Sequence, residues 1–502
     1  MNPERPPAGP RVPRDSRRRF LLTAAAATVV PAGAAVAAWP ALGSGRTTAS
    51  PAPSPARRRR RSGRPNFVVV VADDLGYGEL GGYGQTQIRT PRLDRLAAEG
   101  VRFTDFYAGA PVCAPSRCSL LTGRHIGRAR VRTNPKGPDS SLTDADLTFG
   151  KVLQEAGYRT GLFGKWGFGP AEPDQPSHPH AQGFGEFFGY LTHGEAHRYF
   201  PPALWDGRRS LPLPANRPRA RNVYAPELIV RRGLDFVDRH RDEPFLLVLT
   251  PPLPHAPSIA PSPFPYRART WARPDRAHAA QVTLLDSYVG RLVDRLTSLG
   301  LADDTVVLFT SDNGPHEEGG FDPDFFHASG GLRGYKRSLY EGGIRVPLIA
   351  WSPGLLGRGR GRVSSHPSAM WDLFPTITDL AGLGPPDEVD GRSLRGLLTG
   401  TGGPPRRDYL YWARPNGAKP TPRVAAAEGE HAGRAAAAVR FGRWKAVGFA
   451  PGRHYFDPDD RWSYELYDLW TDPGERTDVA ASRPEILDQA IRYLHEAWVP
   501  PA

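Results

Sequence analysis

Two acidic pairs, Asp73-Asp74 and Asp312-Asn313, each stand directly after an apolar, mostly β-branched run. The first follows Phe67-Val68-Val69-Val70-Val71-Ala72, the second Thr305-Val306-Val307-Leu308-Phe309-Thr310 with Ser311 between. Three carboxylates and one amide oxygen form a hard, oxygen-only donor set suited to Ca2+ and, less well, Mg2+. Either pair alone reads more simply as an Asx turn or a helix cap. Two pairs at matching strand ends point to a metal. A third segment runs Cys113-Ala114-Pro115-Ser116-Arg117-Cys118-Ser119-Leu120-Leu121-Thr122-Gly123-Arg124. Pro115 suits the first position of a short helix and Gly123 its stop, which places Cys113 at the helix N-terminus. Free N–H groups and the dipole there favour anionic groups, and Arg117 and Arg124 add donors able to grip an anion. Cys118 reads as a small buried side chain on that helix. A Cys113–Cys118 disulfide would remove the reactive group, and a zinc site would need further Cys or His ligands that the spacing does not supply.

Positioning these groups takes an α/β framework. The runs at 67–72, 245–249 and 305–310 are continuous and apolar, as strands buried on both faces are. Helices are expected from Pro91 to a stop at Gly100, over 146–156 and over 277–298, from apolar positions recurring at helical spacing and from Pro and Gly punctuation. Strands alternating with helices give a mainly parallel sheet covered on both faces. In such sheets ligands collect at the carboxyl ends of strands, where both acidic pairs fall. Past residue 400 the texture changes. A low-complexity patch covers 424–438, short strand-like segments appear at 409–412, 438–441 and 443–447, and Pro484 to Trp498 reads as a terminal helix. The expected division is a catalytic domain over 66–399 and a smaller antiparallel-sheet α+β domain over 400–502.

The Cys113 segment resembles the sulfatase signature, Cys-x-Pro-Ser-Arg followed by Leu-Thr-Gly-Arg, at every defined position. Similar stretches are 71–78, Gly164-Lys165-Trp166, Lys336 and 341–345, 390–394, 465–469 and 472–475, so the resemblance spans nearly all of the chain after residue 65. It implies a large alkaline-phosphatase-like sheet between helices and hydrolysis of sulfate esters. It also implies that a formylglycine-generating enzyme oxidises Cys113 to Cα-formylglycine. The aldehyde hydrate would attack sulfur with one hydroxyl, and the second would allow sulfate to be expelled. Asp73, Asp74, Asp312 and Asn313, with the group made from Cys113, match the calcium ligands. Arg117 matches the residue that stabilises the hydrate. Lys165, His255 and Lys336 match the sulfate contacts, and His255 or Lys336 would protonate the leaving alcohol. One departure stands out: Gly167 occupies the place of a histidine that assists sulfate elimination in many sulfatases. A bacterial subgroup shares this glycine, together with stretches like Gly123-Arg124-His125-Ile126-Gly127 and Ala196-His197-Arg198-Tyr199, so His125 and His197 are the candidate substitutes. Alternatives on the same scaffold are a phosphate or phosphonate monoester hydrolase and a non-catalytic carbohydrate-binding relic. The substrate, aryl or carbohydrate, is not legible; Trp205, Tyr199 and Phe200 would either line a pocket for it or belong to the core.

The net charge of +13 does not mark a nucleic-acid binder. Residues 1–65 hold 13 arginines against one glutamate and one aspartate, leaving only +2 on the remainder of the 502-residue chain. A nucleic-acid binder carries its excess on the folded domain. Arg17-Arg18-Arg19-Phe20-Leu21-Leu22, the alanine-rich stretch to Ala38 and the small residues at 35–38 resemble a twin-arginine export signal over 1–38, read by the twin-arginine translocase. Residues 39–65, with the run Arg57 to Arg61, read as a basic linker. The expected location is periplasmic, extracellular or in the cell envelope. Two cysteines in an exported protein of this length leave the fold to its hydrophobic core rather than to disulfides.

Overall fold

The computed structural model describes residues 63–134, 141–217, 220–356, 361–417, 419–455, 457–459 and 461–500. The signal and most of the linker lie outside the described residues. No described helix is long and apolar enough to cross a membrane.

The three apolar runs become neighbouring strands at the centre of a ten-stranded sheet. Asn66–Ala72 lies between Thr305–Ser311 and Phe245–Thr250, parallel to both. Arg159–Lys165 and Glu186–Tyr190 extend the parallel set on one side. Leu348–Trp351 turns the other flank antiparallel. Every residue of the three central strands is buried. Full burial explains why they carry no polar alternation, and each Val, Leu or Phe contributes roughly 1.5–3 kcal/mol. Two apolar layers, one on each face, cover the sheet. The register aligns Ala72 with Ser311 and Thr250 with Gly164. Asp73 and Asp312 therefore leave the sheet side by side, with Lys165 as the last residue of its strand.

Helices begin at Pro91 and Pro484 as expected, while other starts differ in ways their first turns explain. Pro91–Glu99 begins at its proline and ends at Gly100, whose N–H returns to the Leu96 carbonyl. The long helix is Arg273–Ser298, four residues longer at its start, because Pro274 occupies the first turn with Asp275 beside it. The helix expected over 146–156 is only Phe149–Glu155: Thr148 caps it, accepting the Lys151 N–H at 3.2 Å. The Cys113 helix is Cys113–Thr122, so Cys113 and not Pro115 is its first residue. The Ser116 N–H bonds the Val112 carbonyl at 3.3 Å, and Pro115 sits in the first turn where no N–H is required.

Toward the C-terminus, Leu410–Arg414, Ala436–Phe441, Trp444–Phe449 and Ser463–Asp468 form a four-stranded antiparallel sheet. Part of the low-complexity patch is helix, Pro422–Glu428, and the terminal helix is Pro484–Ala497. Ala490, Leu494 and Ala497 pack that helix on the inner residues of the sheet.

Candidate active site

Cys113 is fully buried, and so is its whole helix. Its Sγ lies 3.6 Å from Asp73 Oδ1 and 3.8 Å from Asp74 Oδ1. Donor atoms of Asp73, Asp74, Cys113 and His255 all fall within 4.8 Å of one another. Asp74 takes a left-handed backbone, φ +67°, which aspartate tolerates better than most residues. The turn is held by its own N–H, which donates to Asp312 Oδ1 at 3.0 Å. Three cations close on the three carboxylates. Lys165 Nζ donates to both Asp73 oxygens at 2.9 and 2.8 Å, and Lys336 Nζ to Asp74 Oδ2 at 2.7 Å. Arg117 donates through Nε to Asp312 Oδ2 at 2.9 Å and through Nη1 to the Lys165 carbonyl at 2.9 Å. The Lys165 carbonyl also accepts from Thr250 Oγ1 at 2.9 Å, which ties three strand ends together.

Burial opposes every charge here, and the neighbours decide the outcome. Burial pushes the Asp73 and Asp74 carboxyls up, but Lys165 beside Asp73, and His255 and Lys336 beside Asp74, outweigh it and hold both well below the usual carboxylate range. Asp312 goes the other way: burial and the Asp73 charge push it up to about 6 against the pull of Arg117. Burial also pushes the Cys113 thiol far up, so the unmodified side chain is a poor thiolate.

The donor set fits a hard divalent cation. Three carboxylates converge, and Asn313 Oδ1 is buried without a hydrogen-bond partner. Three buried anions against Lys165, Lys336 and Arg117 leave the cluster near neutral. A divalent ion would make it positive, as binding an anionic ester requires.

His255 joins the cluster through its ring. Nδ1 faces the Ala256 carbonyl at 2.5 Å, while Nε2 is 3.2 Å from Lys336 Nζ and 3.3 Å from Asp74 Oδ2. The neutral tautomer that donates through Nδ1 presents Nε2 as an acceptor for the Lys336 ammonium. His197 stacks on the His255 ring at 4.4 Å and 15°. His193, which the sequence reading missed, lies 4.9 Å from His197 and 6.3 Å from His255. His193 follows the parallel strand Glu186–Tyr190, and burial with the nearby Lys165 charge pushes it down to about 2. His316 also packs near His255, with ring centroids 5.9 Å apart and planes 28° apart.

Other expected residues fall elsewhere. His125 lies beyond the far end of the Cys113 helix, about 15 Å away at 1.5 Å per residue. Its ring packs near Trp371 and Tyr411, with Nε2 3.7 Å from Asp390, so it is separated from the cluster. Arg124, at the same end, is partly exposed and paired with Glu388 at 3.7 Å, so it grips no anion beside Cys113. Tyr199 is buried in the core, its hydroxyl donating to the Pro252 carbonyl at 2.7 Å and to that of His255. Phe200 packs against the same core, and half-buried Trp205 sits on the next-to-last strand of the sheet, Ala203–Asp206, with Nε1 3.3 Å from Glu195. Both cysteines are unpaired, and Cys118 is buried among apolar side chains.

Comparison with known proteins decides the family. The chain matches the family Sulfatase over residues 65–383 and the family N-sulphoglucosamine sulphohydrolase, C-terminal, over residues 333–496. The chain belongs to the sulfatase family. It is a sulfuric ester hydrolase. Human arylsulfatase A is 35% identical over 473 residues, covering 86% of this chain and 87% of that protein. Human N-acetylgalactosamine-6-sulfatase is 30% identical, covering 87% and 86%. The crystal structure of Ps i-CgsB in complex with k-i-k-neocarrahexaose superposes with a TM-score of 0.72 at 27% identity, covering 88% of this sulfatase and 94% of that chain. The mixed, mainly parallel sheet with a small C-terminal antiparallel sheet is the architecture of these sulfatase structures.

Proposed function

We propose that this sulfatase is an exported, calcium-dependent enzyme that hydrolyses sulfate monoesters through a formylglycine hydrate made from Cys113. The observation that carries the reading is one buried cluster in which Cys113 touches Asp73 and Asp74 while Lys165, Lys336, Arg117 and His255 surround them. Asp73, Asp74, Asp312 and Asn313 would hold Ca2+ beside the residue 113 side chain. The ion would supply positive charge and acidify a hydroxyl, and the hydrate would supply a nucleophilic hydroxyl and a second one for release. Lys165, Lys336 and His255 bind the sulfate oxygens, where charge grows in the transition state. Arg117, pinned by Asp312 and the Lys165 carbonyl, orients the residue 113 side chain. Lys336 Nζ, held by His255 Nε2 at 3.2 Å, gives a proton to the leaving alcohol oxygen and takes one back from solvent. Match to the sulfatase family, rather than charge, favours sulfate esters over phosphorus esters, since a sulfate monoester and a phosphonate monoester are both monoanions. Matched aryl sulfate, phosphate and phosphonate esters test this: the sulfate is turned over fastest, chelation removes the activity and Ca2+ restores it. Faster phosphonate turnover would replace the reading. Export rests on the twin-arginine-like residues 16–38.

Release of sulfate needs a base where Gly167 stands. Gly167 has φ +91°, and a Cβ there would meet only the Lys165 side chain, at 4.0 Å. A side chain at this position would have room, and His197, at the end of the short helical turn Glu195–His197, stacks on His255 with its Nε2 buried and without a hydrogen-bond partner. His197→Ala is expected to lower steady-state kcat about 100-fold while sparing a first burst of alcohol release. Folded His125→Ala keeps its kcat. Rapid-quench kinetics checks both, and unchanged turnover in His197→Ala would remove His197 as the base.

A further inference from the structure

A cavity of about 200 Å³ opens against the first turn of the Cys113 helix, lined among others by Val112, Arg132, Asn134, Arg337, Arg414 and Lys419. Val112 leads into Cys113, and Asn134 Oδ1 accepts the Ala114 N–H at 3.1 Å. Arg337 follows Lys336 in the chain, so the cavity flanks both the reacting residue and the proton carrier. Four basic side chains line it and, among the described residues, no acidic one does.

The basic groups are unequally matched. Arg414 forks onto Glu428 at 2.7 and 3.0 Å. Arg337 pairs with Glu318, yet its Nη1 is buried without a hydrogen-bond partner. Arg337 also holds a left-handed backbone, φ +84°, unusual for a long side chain. It is fixed by its N–H donating to the Pro111 carbonyl at 2.8 Å and by its carbonyl accepting from Arg414 Nη1 at 2.8 Å. Half-buried Arg132 has no carboxylate partner among the described residues. It donates to the carbonyls of Ala129 at 2.8 Å and Val499 at 2.6 Å, and its guanidinium lies 4.4 Å over the Trp498 ring. A guanidinium held only by carbonyls and a ring lacks its counter-charge.

We propose that this cavity receives a second anionic group, a carboxylate or a further sulfate, carried by the alcohol part of the sulfate ester. The preferred substrates are then acidic or multiply sulfated saccharides rather than neutral aryl or alkyl sulfates. The proposal rests on the sulfatase reading of the neighbouring cluster and deepens it. Arg132 and the unpartnered edge of Arg337 grip the anion, and exposed Lys419 adds charge at the rim. The volume lies below the roughly 300–1,000 Å³ of a pocket for a whole small molecule, which suits one substituent.

The test compares kcat/KM on three matched sugar sulfates: a neutral monosulfate, the same ester on a uronate, and a disulfate. One or both acidic substrates exceed the neutral one by about tenfold or more, the gain typical of charged hydrogen bonds, and the larger gain identifies the acid. Arg132→Gln cuts that preference about tenfold, and Arg132→Lys retains part of it. Calorimetric titration with the sulfate-free sugar acid reads the cavity without turnover and should show at least tenfold weaker binding to Arg132→Gln. Equal kcat/KM on all three esters, or a preference unchanged in Arg132→Gln, overturns the anion subsite while leaving sulfatase activity standing. Sugar-acid binding without turnover of any ester would instead support the subsite and overturn the catalytic reading.

Discussion

Cys113→Ala will lose at least about 10⁴-fold in kcat/KM, and Cys113→Ser will release no more than one equivalent of alcohol per chain before stopping. The two variants separate the halves of the reaction. Alanine offers nothing to attack sulfur. Serine keeps a hydroxyl at the head of a fully buried helix, beside Asp73 and Asp74, and fits the space of the thiol. It carries only one oxygen, however, so a sulfate once accepted has no internal exit and would need attack by water. Lys165 and Lys336 still grip the anion and make the first transfer feasible. Stopped-flow release of a chromogenic alcohol measures this directly. Sustained turnover by Cys113→Ser within tenfold of the unaltered enzyme would mean that a single hydroxyl suffices.

Lys445→Met is expected to destabilise the fold by about 3–5 kcal/mol, because it strands two carboxylates in the interior. Lys445 has no exposure and bridges Glu341 Oε1 at 2.9 Å and Glu475 Oε1 at 2.8 Å. Glu475 in turn accepts the Glu341 N–H at 2.6 Å, and Glu341 accepts from the Tyr107 hydroxyl at 2.7 Å. Burial raises both carboxyls, but Lys445 with Arg345 and Arg440 keeps Glu341 low, at about 2. Burial and the Glu341 charge push Glu475 up to about 7. The trio thus fastens a strand of the C-terminal sheet to the short helix Glu341–Ile344, five residues past Lys336. A fall in the urea midpoint, with activity lost in parallel, is the expected result. A midpoint unchanged within error would show that the two carboxyls share protons freely enough to dispense with the lysine.

Much of this site was legible in the chain because its parts sit where the sequence is least ambiguous. Asp73 and Asp312 each follow an uninterrupted buried run, and parallel register then has to set them side by side. Cys113 and Arg117 lie one helical turn apart, so a short motif carries both. Resemblance alone was less discriminating about role. Lys336 enters the cluster, whereas Glu341 and Glu475 fasten the C-terminal sheet. The stretch 390–394 closes the far end of the Cys113 helix, with the Asp390 and Gly391 N–H groups both donating to the Gly123 carbonyl at 3.0 Å. His125 looked equivalent to His197 in sequence, but ten helical residues separate it from the site. His193 had no signal, since Glu186–Tyr190 is short, carries no β-branched residue and is a strand through its pairing with Arg159–Lys165 and Ala203–Asp206. The basic cavity was hidden for a different reason: its walls come from four segments brought together by tertiary packing alone.

The central claim concerns the chemical state of residue 113, and peptide mass spectrometry of the active protein reads it directly. Cleavage after arginine yields residues 103–117 with Cys113 and 118–124 with Cys118 as separate peptides, so the two cysteines cannot be confused. The account predicts that the first peptide carries the mass of the aldehyde and its hydrate in proportion to specific activity, while Cys118 stays an intact thiol. Full activity with only an unmodified thiol at Cys113, or with a disulfide between the two peptides, would contradict it.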